Sequence, residues 1–463
     1  MSDLLAPAMF GGLVLAVLSG FPVAFALAAV AATFGLIGAA AGHFDVTFLQ
    51  IMILRMGGVF ANDNLLAVPM LILMGMVMER TGIAQDMFVA LNRLFGRLPG
   101  GLAYTTVLVG AVLSAITGFV SASVVALGLI ALPVMLRAGY EPRLASGVVT
   151  ASATLAQVIP PSLVLIVLAE QLEVSLADIY RGALLPSAIL VGGYMAYVFL
   201  SVHGRPERAP PAAPASGEEG SAVRPWLDAS VAAGVPLVIV LTVLAAIYLG
   251  IAAPTEGGAI GVTATLLFGL ARRRLTLTGL RQAMEVTANL TSGLIFLLLG
   301  ASFFILVFRG LDGQAWVDGL LSSLPAGALG FVVALNLLVF FLAFFIEFFE
   351  IAFIVLPLVV PVARQLGIDM VWLTVLLAIN LQTSFMHPPL GLAILNLRTV
   401  APPALSTITL YRGALPFLGI QALVVALLVA APAIVLKRTP ATVDPAQSFE
   451  SQLPPPPLLI EEL

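Results

Sequence analysis

The sequence contains no cysteine, which excludes disulfides and thiolate chemistry and leaves the redox compartment open. Charge is scarce too: Asp, Glu, Lys and Arg make up 10% of 463 residues, where a soluble domain carries about a quarter. The three histidines are too scattered for a metal centre or a nucleophile–base pair, so no catalytic residue is expected. Phosphate-binding Gly-Lys-Ser/Thr loops, His-Glu-x-x-His motifs and Gly-x-Ser-x-Gly elbows are absent, which leaves ATP hydrolysis and hydrolytic chemistry without a site. Recurring polar rings of the kind that line a channel are missing, and nucleic acid is not an expected partner. No Lys or Arg precedes the first apolar run. A cleavable signal needs a basic start, so that first segment is expected to be retained.

Apolar sequence is abundant. Hydrophobic residues make up 60% of the chain and the mean hydropathy is +1.11. Apolar runs recur from Leu5 to Leu436, and about 20 residues span a bilayer. The expected fold class is an all-α polytopic membrane protein in a lipid bilayer. Residues 203–225, rich in Pro, Ala, Gly and charge, are expected to form a solvated cytoplasmic linker, and 437–463 a Pro-rich disordered tail.

The linker separates two halves that repeat. A shift of 228 residues lays Gly82 on Gly310, Pro133 on Pro361, Gly139 on Gly367 and Pro160-Pro161 on Pro388-Pro389. Tyr180-Arg181-Gly182-Ala183-Leu184 recurs as Tyr411-Arg412-Gly413-Ala414-Leu415. Residues 1–202 and 226–436 are therefore read as two repeats of five spans each. Spans are expected near 4–20, 22–41, 51–78, 144–168 and 183–202, then near 227–250, 256–271, 286–308, 370–397 and 413–436. Between the third and fourth span of each half lies a longer run, 101–136 and 329–364, broken at its middle. Two arms of about 16 residues are short for two crossings, so re-entrant hairpins fit better than double spans.

Five crossings per half make the second repeat inverted. With the N-terminus outside, only Arg55, Arg181, Arg309, Arg364, Lys437 and Arg438 of the 20 basic residues remain outside, as the positive-inside rule requires. This fixes orientation but does not decide between hairpins and double spans. Within the arm 79–97, Ile83, Met87, Leu91 and Leu94 recur at helical spacing. They define either an amphipathic helix on the membrane surface or a plain connecting helix.

Inverted repeats with broken helices are the architecture of secondary transporters, whose sites lie at the breaks. Each proline pair removes backbone donors and interrupts a span at its middle. The freed carbonyls need a partner: neighbouring helices, in a structural kink, or a cation such as Na⁺. Hydroxyl and amide oxygens stand nearby, at Ser152, Thr154 and Gln157 beside the first break and at Asn380, Gln382, Thr383 and Ser384 beside the second. The first hairpin tip offers Gly118, Ser121 and Ser123; the second offers Glu347 and Glu350. Intramembrane carboxylates are costly and imply function, although these two could also reach the outer water layer. Glu256 stands at a span start. His387, before the second pair, is either a protonatable coupling group or a structural residue. Asn62-Asp63-Asn64 is polar without an assigned role.

The stretch Leu65 to Gly101, Ile159-Pro160-Pro161-Ser162, Ala253-Pro254-Thr255-Glu256-Gly257-Gly258, and Asn380-Leu381-Gln382-Thr383-Ser384 followed by Pro388-Pro389-Leu390-Gly391 resemble the large membrane subunit of tripartite ATP-independent periplasmic (TRAP) transporters. The likeness covers roughly residues 1–436. It implies a sodium-driven elevator transporter of the bacterial inner membrane that imports an organic acid anion. It also implies two partners, a small four-helix membrane subunit and a periplasmic substrate-binding protein. Carried onto matching positions, the sodium sites fall at Gly118, Ser121, Ser123 and Pro160, and at Glu347, Asn380, Thr383 and Pro388. Ser152, Thr154, Gln157, Gln382 and Ser384 are then the candidates for the anion. The family often has Asp at the position of Glu347 and Thr at that of His387. The alternative function is a sodium- or proton-coupled carboxylate symporter that works without a binding protein.

Overall fold

The computed structural model describes residues 2–436 except 45, 46, 48, 49, 62, 212–222, 323, 324 and 390; the side chains of 2–3, 63–64, 223–233 and 322 are also outside the description. The tail at 437–463, the centre of the linker and the Asn62-Asp63-Asn64 side chains thus lie outside the described residues. Every regular element among the described residues is helical.

The first half contains α1 (Ser2–Leu18), α2 (Val23–Ala40), α3 (Gln50–Phe60), α4 (Asp63–Arg80), α5 (Ile83–Phe95), α6 (Gly101–Thr117), α7 (Val120–Arg137), α8 (Pro142–Thr154), α9 (Leu163–Leu172) and α10 (Leu176–His203). The second half opens with α11 (Val223–Tyr248), α12 (Pro254–Ala271), α13 (Leu277–Gly310), α14 (Gly313–Ser322) and α15 (Gly327–Leu342). It continues with α16 (Phe348–Ile354), α17 (Leu356–Gln365), α18 (Met370–Gln382), α19 (Leu392–Val400), α20 (Thr407–Ala430) and α21 (Ala433–Leu436). Helices α2, α7, α10, α13 and α20 are each long and apolar enough to cross a bilayer, with mean hydropathies of 1.8 to 2.4. Arm length alone therefore does not mark α7 as re-entrant, since its 18 residues rise about 27 Å.

Several boundaries differ from the sequence expectation. Helix α13 has 34 residues because a polar first turn, capped by the Thr276 hydroxyl on Gly279 N at 3.0 Å, precedes the apolar stretch. The second loop is not a simple pair of arms. Its return limb is split into α16 and α17, bent by 52°, where Pro357 supplies no N–H to the preceding turn. Helix α14 was not anticipated; it stands before the second loop where α5 stands before the first. The start of the linker is exposed over 203–207 and strapped down at Arg208 and Ala209. Gly100 N donates to Ala209 O at 2.9 Å and Glu141 N to Arg208 O at 2.8 Å, with Arg208 paired to Glu141 at 3.3 Å.

Two packed groups emerge. Helices α1, α2, α4, α11, α12 and α13 lie against one another, and α6 to α10 pack with α18 to α20. Helix α5 lies between them, with Ile83, Met87, Phe88 and Ala90 buried against α6 and α11, so its apolar face meets protein instead of the membrane surface. The tightest crossing joins α8 to α20. A Cβ added at Gly147 would stand 2.1 Å from the Gly413 carbonyl oxygen, and one at Gly413 would stand 2.3 Å from the Arg143 carbonyl oxygen. Only glycine lets these backbones approach so closely.

Candidate functional site

Helix α8 ends at Thr154 and continues as a 3-10 turn, Leu155–Gln157, before Pro160-Pro161; the helix resumes at Leu163. The break in α18 is built the same way, with the 3-10 turn Thr383–Phe385 before Pro388-Pro389 and resumption at Leu392. Both proline–proline bonds are cis. Carbonyls released at the first break find side chains: Gln157 O accepts from the Ser162 hydroxyl at 2.6 Å, and Val158 O accepts from Ser187 at 3.1 Å. At the second break, the Tyr411 hydroxyl donates to Pro389 O at 2.7 Å.

The first loop turns at Gly118, whose φ of 58° is left-handed and suits glycine. An added Cβ there would face Pro161 O and Leu163 N, each at 3.5 Å, so the tip meets the first break just after Pro160. Ser123 is fully buried, and its hydroxyl lies 2.6 Å from that of Thr117 and 3.2 Å from Phe119 O. Ser121 is half-buried at the start of α7. Helix α4 touches the same tip, because a Cβ at Gly75 would stand 2.7 Å from the Thr117 Cα. At the loop's other end, Leu102 N donates to the Tyr140 hydroxyl at 3.0 Å. Burial pushes that phenol up to about 12, so it stays neutral.

The second loop brings Glu347 to the second break. Glu347, Ala343 and Ile346 line one side of a cavity of about 10 Å³, with Ser384, Phe385 and Leu392 on the other; that is space for about one water-sized particle. Thr383 and Ser384 direct their hydroxyls to the carbonyls of Asn380 and Leu381, at 2.6 and 2.7 Å. Asn380 donates its amide to Asn336 of α15, to the carbonyl at 2.8 Å and the side-chain oxygen at 3.0 Å. It thus tethers the outgoing arm of the loop. His387 is stacked on Phe344 with ring centroids 4.4 Å apart and lies edge-on to Phe340 at 4.5 Å; neither ring nitrogen has a hydrogen-bond partner among the described residues. One carboxylate oxygen of Glu350 is likewise buried and unpartnered. Glu256 accepts from Ala253 N at 2.8 Å and so caps α12.

Between the breaks lies a buried polar cluster. Gln382 Nε2 donates to Thr154 Oγ1 at 3.1 Å and reaches Tyr194 Oη at 3.5 Å. Gln421 Nε2 donates to Tyr194 Oη at 2.8 Å and reaches Thr154 Oγ1 at 3.5 Å. The Oε1 atoms of Gln382 and Gln421, both amide atoms of Gln157 and the Ser152 hydroxyl have no partner among the described residues. Buried polar atoms are rarely left so, and a site that accepts a ligand is one setting in which they are. Sequence reasoning missed Tyr194 and Gln421. The available signal was a lone Gln in the apolar span 413–436. Among the described residues no three His, Cys, Asp or Glu side chains group as metal ligands.

Interrupted helices that meet polar loop tips inside a polytopic helical fold define a membrane transporter, not an enzyme. Residues 10–434 match the family described as the DctM component of the tripartite ATP-independent periplasmic transporter. The chain therefore belongs to that family, as a TRAP large permease subunit and a multi-pass protein of the bacterial inner membrane. It is 26% identical over 374 residues to the C4-dicarboxylate TRAP transporter large permease protein DctM of Pseudomonas aeruginosa, covering 81% of this chain and 85% of that protein. It is 27% identical over 420 residues to the sialic acid TRAP transporter large permease protein SiaM of Vibrio cholerae, covering 90% and 94%. Among solved structures, the YdaH transporter of Alcanivorax borkumensis shares the fold, with a TM-score of 0.59 at 18% identity over 86% of this chain and 91% of that chain.

Proposed function

We propose that this permease imports an organic acid anion driven by a sodium gradient, with a small four-helix membrane subunit beside it and a periplasmic binding protein delivering the anion. The substrate class is supported by its likeness to a C4-dicarboxylate and a sialic acid TRAP transporter permease. The observation that carries the reading is the chemistry of the two breaks. No Lys or Arg lies between Ser152 and Leu163 or between Asn380 and Leu392; both segments are rich in hydroxyl, amide and carbonyl oxygens, which suit a hard cation. An anion entering this region finds its positive charge on the coupling ion, so neither crosses well without the other. Gly118, Ser121, Ser123 and Pro160 form one sodium site; Glu347, Asn380, Thr383 and Pro388 form the other. Ser152, Thr154, Gln157, Gln382 and Ser384 serve the anion.

The two halves act as inverted repeats, and α6 to α10 with α15 to α21 move as an elevator against the remaining helices. The ion pairs support this topology. Asp86–Arg274, at 2.8 Å, and Glu141–Arg208 join groups that it places inside, and Asp178–Arg181 and Glu173–Arg364 join groups that it places outside. The test is uptake into proteoliposomes carrying the permease and small subunit, with binding protein and anion outside. Accumulation that follows the sodium gradient and stops without the binding protein supports the reading. Equal uptake by this chain alone would favour a symporter without a binding protein.

A further inference from the structure

We propose that Tyr194 and Gln421 are positioning residues that clasp the ends of the two interrupted helices together, so that a cation taken up at one break raises the affinity of the other. The inference rests on the sodium-driven reading above. Thr154 and Gln382 are the last α-helical residues before the two 3-10 turns, and two residues separate each turn from its proline pair. The two side chains are bonded to each other, and Tyr194 from α10 and Gln421 from α20 close the cluster around them. All four residues are fully buried.

The two amide nitrogens are each received by a hydroxyl oxygen. The Thr154 proton goes to Ala151 O at 2.8 Å, so toward the amides this hydroxyl only accepts. The Tyr194 oxygen accepts from Gln421, and its ring is pinned edge-on to Phe417, with centroids 5.2 Å apart, on the same helix as Gln421. A cation that reshapes either 3-10 turn displaces Thr154 or Gln382, and no bulk water is present to replace a bond lost here. The less costly response is for both turns to shift together. Coupling of this kind changes affinity by about 5–150-fold.

The experiment is the sodium dependence of uptake in proteoliposomes carrying both partners, for the unaltered chain, Tyr194→Phe and Gln421→Leu. Tyr194→Phe keeps the ring packed on Phe417 and removes only the hydroxyl. The unaltered chain is expected to give a sodium curve steeper than hyperbolic. Each variant is expected to give a flatter curve with a midpoint at least about 5-fold higher and a retained maximal rate. Unchanged steepness and midpoint in both variants would overturn the inference. So would a lowered maximal rate with unchanged steepness, which marks packing alone. A hyperbolic curve from the unaltered chain defeats the clasp but leaves sodium coupling standing. Uptake indifferent to sodium defeats the functional reading and the clasp with it.

Discussion

Thr154 and Gln382 share a hydrogen bond of 3.1 Å across 228 residues, the same offset that lays the first proline pair on the second. In the proposed inverted-repeat arrangement, residues at matching places touch each other only close to the axis that relates the halves. The bond thus marks where the two broken helices converge. Replacing Thr154 by Val keeps the shape but removes the acceptor of the Gln382 amide. An orphaned buried donor costs about 1–3 kcal/mol, so Thr154→Val is expected to lower the thermal unfolding midpoint in detergent, with Thr154→Ser close to neutral.

The crossing of α8 and α20 gives a sharper stability test. Gly147→Ala forces a methyl onto the Gly413 carbonyl, and overpacking of this kind costs about 1–3 kcal/mol or more. Gly419, farther along α20, has nothing within 4 Å of an added Cβ. Gly419→Ala should leave the melting curve within about 0.5 kcal/mol of the parent.

Gly75 meets Thr117 across the boundary between the two packed groups. If the first loop slides past α4 during transport, Gly75→Ala obstructs that passage. The expected result is a lower turnover with binding protein and sodium saturating, and little change in the amount of folded permease recovered. Undiminished turnover would show that the loop tip does not travel along α4.

At the second break, Glu347→Gln removes the charge facing the small cavity, and Thr383→Ala removes a hydroxyl from the 3-10 turn. Both variants are expected to need more sodium for half-maximal uptake, with Glu347→Gln the larger effect because it removes a full charge from the proposed second sodium site. Sodium titration of uptake at fixed anion concentration measures this directly.

Much of the fold was legible in the sequence because its signals are local. Apolar length announced an all-helical membrane fold, and Pro160-Pro161 and Pro388-Pro389 announced the breaks whatever surrounds them. The remainder depends on contacts between distant segments. Ala209 and Arg208 look like solvated linker until Gly100 and Glu141 are seen to bond their carbonyls. The apolar stripe of α5 reads equally well as lipid-facing or protein-facing, and only the position of α11 decides. Tyr194 and Gln421 gain meaning from meeting at Thr154, which no spacing along the chain encodes. Asn380, expected as an ion ligand, gives its amide to Asn336, 44 residues away.

The most direct test of the inverted arrangement uses the absence of cysteine, which makes single-cysteine labelling free of background. Cysteines placed at Leu98 and Arg137 mark the two ends of the first loop, and at Ala326 and Leu366 the two ends of the second; all four positions are exposed. With an impermeant thiol reagent applied from either side of sealed vesicles, the first pair should react only from the cytoplasmic face and the second only from the periplasmic face. Reaction of the two ends of either loop from opposite faces would contradict the account.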